Sequence, residues 1–374
     1  MAEWRNTTWG EVATLEYGKS LRDYAAAAKY RVYGTNGPIG WHDKPLCDEP
    51  GVIIGRKGAY RGIHYSPEPF FVIDTAFYLK PKIQIHPRWA YYQLLTQDIN
   101  GIDSGSAIPS TSRSDFYALP LELPLLSEQK AIAAALGALD DKIELNRRMN
   151  ATLETIVQSV CKSWFADTAE NGLPEGWHQS TIRDLACNIQ YGLTQSASTE
   201  PIGPRFLRIT DIQGGRVDWG RVPFCQVSEK EHERYRLKAG DVLVARTGAS
   251  TGENIYLPVV PDAVFASYLV RFQFSQAEMA RFVGAFMRTS SYFDFVAGCI
   301  GGSAQPNASA QTLAKAELFV PPEQLLKRFA DLVGPLDQRI AVNNEESRIL
   351  AALRDALLPK LVRGELRPTT CANA

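Results

Sequence analysis

The sequence predicts an α+β protein: two similar mixed α/β modules separated by two long antiparallel coiled-coil helices, with an approximate two-fold axis relating the halves. Three observations predict it. The 374 residues contain an internal repeat, and each copy closes with a long helical pattern carrying apolar residues about every 3.5 positions. Before each of these helices the chain is a series of β-branched and aromatic runs cut by glycine turns.

The repeat is read from blocks that recur in the same order. Val52-Ile53-Ile54-Gly55-Arg56-Lys57-Gly58 returns 190 residues later as Val242-Leu243-Val244-Ala245-Arg246-Thr247-Gly248. Both read as strand, glycine turn, strand. Gly105-Ser106-Ala107-Ile108-Pro109 matches Gly302-Ser303-Ala304-Gln305-Pro306, and Leu139-Asp140-Asp141-Lys142-Ile143 matches Leu336-Asp337-Gln338-Arg339-Ile340, both at an offset of 197. Tyr17-Gly18 against Tyr191-Gly192 is a weaker match at 174.

In chain order, residues 1–125 form a first mixed module, with turns at Gly34-Thr35-Asn36-Gly37-Pro38, a buried strand in FFVIDTAFYL and a short helix at Trp89 to Gln97. A proline-bounded strand, LPLELPLL, leads into the first long helix, 126–168, with Ser127 as N-cap and one helix running to about Ala166, roughly 60 Å. Residues 169–321 repeat the plan, with a strand in DVLVARTG, a helix at Ala277 to Thr289 and the closing strand in ELFVPPEQ. The second long helix occupies 322–367, weakened near its start by Gly334-Pro335, and 368–374 are a tail.

Steps of four and three along the first helix give Ile132, Leu136, Leu139, Ile143, Asn146, Asn150, Leu153, Val157, Val160 and Trp164. An offset of 197 carries this seam to Phe329, Val333, Leu336, Ile340, Asn343, Ser347, Leu350, Arg354, Leu357 and Leu361. The polar interruptions coincide, Asn146 over Asn343 and Asn150 over Ser347, where a seam polar group sets register at some cost in stability. The same spacing also fits two amphipathic helices that each pack on their own globular segment.

The usual signatures of catalysis are missing: no G-x-x-x-x-G-K-[ST], no G-x-G-x-x-G, no H-E-x-x-H and no G-x-S-x-G. Gly55-Arg56-Lys57-Gly58 resembles a phosphate loop, but it joins two strands, whereas a nucleotide loop opens a helix. Glu128-Gln129-Lys130 imitates the end of a nuclease motif, yet lies in the first turn of a helix. The five histidines are scattered and the six cysteines form no C-x-x-C pair, so neither a metal site nor a disulfide framework is expected. A net charge of −1, 45% hydrophobic residues and no membrane-length apolar run or signal-like start point to a globular cytoplasmic chain without membrane contact.

The stretch LPLLSEQKAIAAALGALDDKIELNRRMNATLETIVQSVCKSWFAD resembles the central conserved region of the DNA specificity subunit of Type I restriction-modification systems. VYGTNGPIGWHDKPL and VIIGRKGAYRG look like that family's first target-recognition domain; FLRITDIQGGRVDWG, DVLVARTGASTG, GGSAQPNAS and the ending LLPKLVRGEL fit its second half. The resemblance implies two target-recognition domains, each reading one half of a split double-stranded DNA sequence, with the antiparallel helices as a ruler. It further implies methyltransferase subunits that use S-adenosylmethionine, ATP-dependent restriction subunits with their ATP and Mg, and no cofactor or active site in this chain.

With DNA as the ligand, candidate base-reading residues are those whose donors and acceptors match base edges and that sit on loops. In the first domain these are Thr35 and Asn36, and Arg56 and Lys57; in the second they are Thr210 and Asp211, and Arg246 and Thr247. The arginine common to both loops suggests a phosphate or structural role, and Lys57 against Thr247 is where the halves differ. Ser106 and Ser303 are candidate phosphate contacts in a second loop pair, where the family usually has glutamine before the proline and the first copy has Ile108. Trp41, Tyr60 and Trp219 are aromatics available to stack, or simply to pack.

Charge gives no support of its own. Residues 1–120 hold 13 Lys+Arg against 12 Asp+Glu, and residues 171–320 hold 14 of each. Phosphate neutralisation normally supplies much of the affinity for DNA, so the chain alone is expected to bind weakly, with the methyltransferase subunits closing around the duplex. A coiled-coil adaptor whose domains bind proteins stays open as a second reading. A self-sufficient DNA-modifying enzyme would need a cofactor loop or carboxylate cluster that the sequence does not display.

Overall fold

The structure, a computed structural model, describes residues 4–102, 109–166, 173–300 and 307–368. It divides into two compact units, Met1–Ile143 with Ile349–Ala374, and Glu144–Arg348. Each unit combines a globular segment with part of both long helices.

In the first unit a four-stranded antiparallel sheet runs in the order Ala13–Tyr17, Ala76–Pro81, Gly51–Gly55, Ile63–Ser66. Beside it lie a three-stranded sheet of Gly37–His42, Tyr30–Gly34 and Phe70–Val72, and the pair Arg5–Thr8 with Pro120–Leu123. Gly51–Gly55 is buried along its whole length, as its unbroken apolar run requires. The second unit repeats the four-stranded sheet and the outer pair. Its four-stranded sheet is Asn188–Tyr191, Leu269–Gln273, Val242–Ala245, Asn254–Tyr256, and its outer pair is His178–Thr181 with Glu317–Val320. Tyr30–Gly34 runs parallel to Phe70–Val72, and Arg205–Leu207 runs parallel to Ala263–Phe265 in the same way. The short helices fall at Pro87–Leu95 and Ala277–Phe286.

The central helix spans Leu126–Cys161 and ends in a π-helical turn, Lys162–Ala166. It begins before Ser127, which is therefore not the N-cap, because the amide of Gln129 already donates to the Leu125 carbonyl and the Gln129 side chain reaches the Pro124 carbonyl. The C-terminal helix runs unbroken from Glu323 to Val362, straight through Gly334-Pro335. A proline inside a helix costs about 3 kcal/mol, whereas burying Leu326, Phe329 and Val333 on one face returns about 1.5–3 kcal/mol apiece. Burial prevails.

All twenty seam positions are buried or half-buried. Each helix is divided between the two units. Ile132, Ala133 and Leu136, with Leu361 and Val362, belong to the first core beside Trp9, Trp89 and Phe116. Val157, Cys161 and Phe165, with Phe329 and Val333, belong to the second. The seam and the packing on globular segments are both realised: helix ends complete the cores, and the helices also pair with each other.

Within the second unit that pairing is antiparallel. Asn146 Nδ2 donates to the Asn343 carbonyl (3.3 Å), Glu346 Oε2 (2.9 Å) and Ser347 Oγ (3.2 Å), while Asn343 Nδ2 donates to Asn150 Oδ1 (2.8 Å). Asn146 and Asn343 are wholly buried. In the first unit Arg354 pairs with Asp140 at 2.7 Å, and Asp140 also accepts the Tyr92 hydroxyl at 2.5 Å. Its repeat partner Asp337 takes Arg281 at 2.5 Å, so the recurring Leu-Asp motif ties the helix to the domain in both copies.

Candidate nucleic-acid interface

The first unit's site is built on a two-residue hairpin turn. Gly34 pairs with Gly37, whose φ of 115° suits glycine, leaving Thr35 and Asn36 at the tip. Asn36 is exposed. The Thr35 hydroxyl donates to the Thr75 carbonyl at 3.0 Å, and that same oxygen accepts the amides of Arg56 (2.9 Å) and Lys57 (3.2 Å). One carbonyl thus draws the hairpin tip and the glycine loop together. The Thr35 carbonyl accepts the Gly62 amide at 3.1 Å and faces His64 Nε2 at 3.4 Å. Burial holds the His64 imidazole below its ordinary pKa, against the opposing pull of the Thr35 carbonyl.

Arg56 is half-buried and Lys57 exposed. The Arg56 guanidinium lies 4.8 Å from the Tyr17 ring centre, and its Nη1 donates to the Asp74 carbonyl at 2.9 Å. Gly18 follows at a point where a Cβ would sit 2.1 Å from the Ile73 carbonyl oxygen, so only glycine fits. Lys57 bridges Ser110, and the Arg56 carbonyl accepts the Thr111 amide at 2.9 Å.

The second unit reproduces this frame. Arg246 lies 4.9 Å from the Tyr191 ring centre, its amide donates to the Tyr268 carbonyl at 3.0 Å, and its carbonyl accepts the Ala308 amide at 2.9 Å. Thr247 bridges Asn307, and a Cβ at Gly192 would meet carbonyl oxygens at 2.3 Å. The weak Tyr-Gly match at offset 174 therefore marks the ring on which the repeated arginine stacks. Sequence reasoning singled out the arginines and missed their partners, for which that match was the available signal.

The stretch Thr210-Asp211 behaves differently from Thr35-Asn36. It lies in a short 3₁₀ turn, Ile209–Asp211, with Thr210 exposed. The Asp211 carboxylate accepts the Arg208 amide (2.9 Å), Nε (3.0 Å) and Nη2 (2.8 Å), so it is engaged in its own turn. Among the described residues no hydrogen bond joins this turn to Arg246-Thr247. Ser106 and Ser303 lie outside the described residues. Of the aromatics, Trp219 packs on a core cluster, Trp41 lies under Arg31 at 4.6 Å, and Tyr60 is 68% exposed on the glycine loop. Among the described residues no group of three or more His, Cys, Asp or Glu is placed to hold a metal ion, and no helix is long and apolar enough to cross a membrane.

Residues 1–155 match the family described as the Type I restriction modification DNA specificity domain, and curated relatives carry the name across most of the chain. The chain is similar to Type I restriction enzyme specificity subunits. It is 23% identical over 317 residues to the MjaIX specificity subunit of Methanocaldococcus jannaschii, covering 77% of this chain and 71% of that one. It is 22% identical over 297 residues to the EcoKI specificity subunit of Escherichia coli K12, covering 73% and 63%. The crystal structure of an S subunit from M. genitalium shares the fold, with a TM-score of 0.62 over 96% of each chain at 18% identity. The doubled loop sites have a frame common to both halves and tips that differ: Lys57 and Ser110 in one, Thr247 and Asn307 in the other.

Proposed function

We propose that this chain reads a split double-stranded DNA sequence, one half per domain, and carries the methyltransferase and restriction subunits of a Type I restriction-modification complex. The observation that carries the reading is the duplicated Tyr–Arg loop site with unlike tips. A shared arginine on a shared ring gives both domains the same backbone-facing cation. Lys57 with Ser110 against Thr247 with Asn307 offers different donors and acceptors to the groove, as two different half-sites demand.

Recognition is the chain's own chemistry in this reading, and methylation and cleavage belong to the partner subunits. S-adenosylmethionine, ATP and Mg bind those partners, and this chain works in the cytoplasm with no active site of its own. The near balance of cations and anions in both domains means that the chain alone holds DNA weakly. Leu145, Ile156, Leu332 and Val342, each more than two-fifths exposed on the helices, offer apolar surface for partner subunits.

Co-expression with a Type I methyltransferase subunit, followed by sequencing of methylated adenines, tests the reading. The expected result is a bipartite methylated motif, one half altered by Lys57→Ala and the other by Thr247→Ala. A stable complex that leaves the genome unmethylated would refute it.

A further inference from the structure

The two loop sites differ in one respect beyond their tips. In the first unit a second guanidinium, Arg113, lies 5.2 Å from the same Tyr17 ring that Arg56 covers at 4.8 Å. Arg113 is anchored by Nε and Nη2 on the Tyr117 hydroxyl (3.2 and 3.0 Å), and Arg56 by Nη1 on the Asp74 carbonyl. Tyr17 is 48% exposed, so the pair borders solvent. Among the described residues neither arginine forms an ion pair with a carboxylate, and neither spends all five of its N–H donors. Two like charges on one ring repel each other. Cation–π attraction at an exposed site is weak, whereas an oxyanion bridging two guanidiniums turns that repulsion into charge-assisted hydrogen bonds.

Among the described residues the second unit has no such pair. At the offset of 197 that relates the neighbouring loops, Arg113 corresponds to Ala310. The Tyr191 hydroxyl there accepts the Ala310 backbone amide at 2.8 Å, and among the described residues Arg246 is the single cation on the ring.

We propose that Arg113 and Arg56 form a two-arginine grip on a backbone phosphate of the first half-site, and that the second domain lacks this grip. The inference rests on the DNA-reading function above and adds an inequality to it: the two half-sites are held with different electrostatic strength. Arg113 touches no base in this arrangement, so it contributes affinity without sequence preference.

The test uses the assembled methyltransferase complex with two probes, a duplex carrying the motif mapped by methylation and a scrambled duplex, titrated between 50 and 200 mM salt. Each phosphate contact contributes about 0.9 to the slope of log affinity against log salt. Removing both guanidiniums, in Arg56→Gln with Arg113→Gln, is expected to lower that slope by about 0.9 on both probes, making the affinity loss across this range about 3.5-fold smaller. Arg56→Lys with Arg113→Lys is expected to retain the wild-type slope, and Arg113→Gln alone is expected to weaken both probes by the same factor. An unchanged slope in the double Gln variant overturns the proposal, as does an Arg113→Gln complex that binds both probes like wild type, since that would make Arg113 a packing residue for Tyr17 and Tyr117. A wild-type complex with no preference for the motif probe would instead overturn the DNA-reading function.

Discussion

The buried asparagines of the helix seam make a sharp prediction. Asn343 Nδ2 donates to Asn150 Oδ1 at 2.8 Å, and neither residue is more than 7% exposed. Asn343→Leu removes the donor and strands Asn150 Oδ1; Asn150→Leu removes the acceptor and strands Asn343 Nδ2. A buried polar group left without its partner costs about 1–3 kcal/mol. For a unit of this size that is a fall in melting temperature of roughly 2–12 °C. The double variant strands neither group. Asn146 keeps the Asn343 backbone carbonyl, and Asn344, the other partner of Asn150, is exposed to water. Replacing both partners with apolar groups is nearly neutral or stabilising, so the double variant is expected to melt at or above the wild-type temperature. Calorimetry on the four proteins gives the coupling directly. Additive losses, with the double variant melting lowest, would refute the idea that this pair acts as a unit. If the polar layer sets helix register, the stable double variant is also expected to methylate motifs with altered half-site spacing.

Two further outcomes follow from the loop frame. Because the His64 pKa is depressed in the folded chain, the unfolded chain protonates first as pH falls through about 6.5; the stability this neutral imidazole confers is present above that pH and is lost below it. Melting curves between pH 7.5 and 5 should show wild type losing stability relative to His64→Gln as pH drops, and parallel curves would contradict the assignment. Gly18→Ala and Gly192→Ala place a Cβ 2.1 and 2.3 Å from backbone carbonyl oxygens. Each is expected to cost about 1–3 kcal/mol or more, read as a lowered melting temperature, and a silent substitution would show that the Tyr-Gly step is not the constrained base of the loop.

Periodicity made the repeat, the sheets and the helix seam legible because they recur along the chain, and recurrence needs no knowledge of distance. Arg56 and Arg246 were visible for the same reason. Their partners were hidden because contact is a property of the sheet and not of the sequence: Tyr17 reaches Arg56 only when Ala13–Tyr17 and Gly51–Gly55 flank Ala76–Pro81. Asp211 shows the opposite failure. Its residue type suits base reading, but a carboxylate three positions from Arg208 finds a nearer donor set, and local geometry claims it before any ligand can. Gly334-Pro335 reads as a weak point by local propensity, which does not include the apolar face that Leu326, Phe329 and Val333 bury. In each case the decisive quantity was a competition between partners. The same reasoning separates frame from tip in the loop sites: Thr35, Arg56 and Arg246 are committed to carbonyls and rings inside their own domains, whereas Asn36 and Lys57 are exposed beside them. In the proposed reading, discrimination between half-sites falls to residues that the fold holds in place but does not consume.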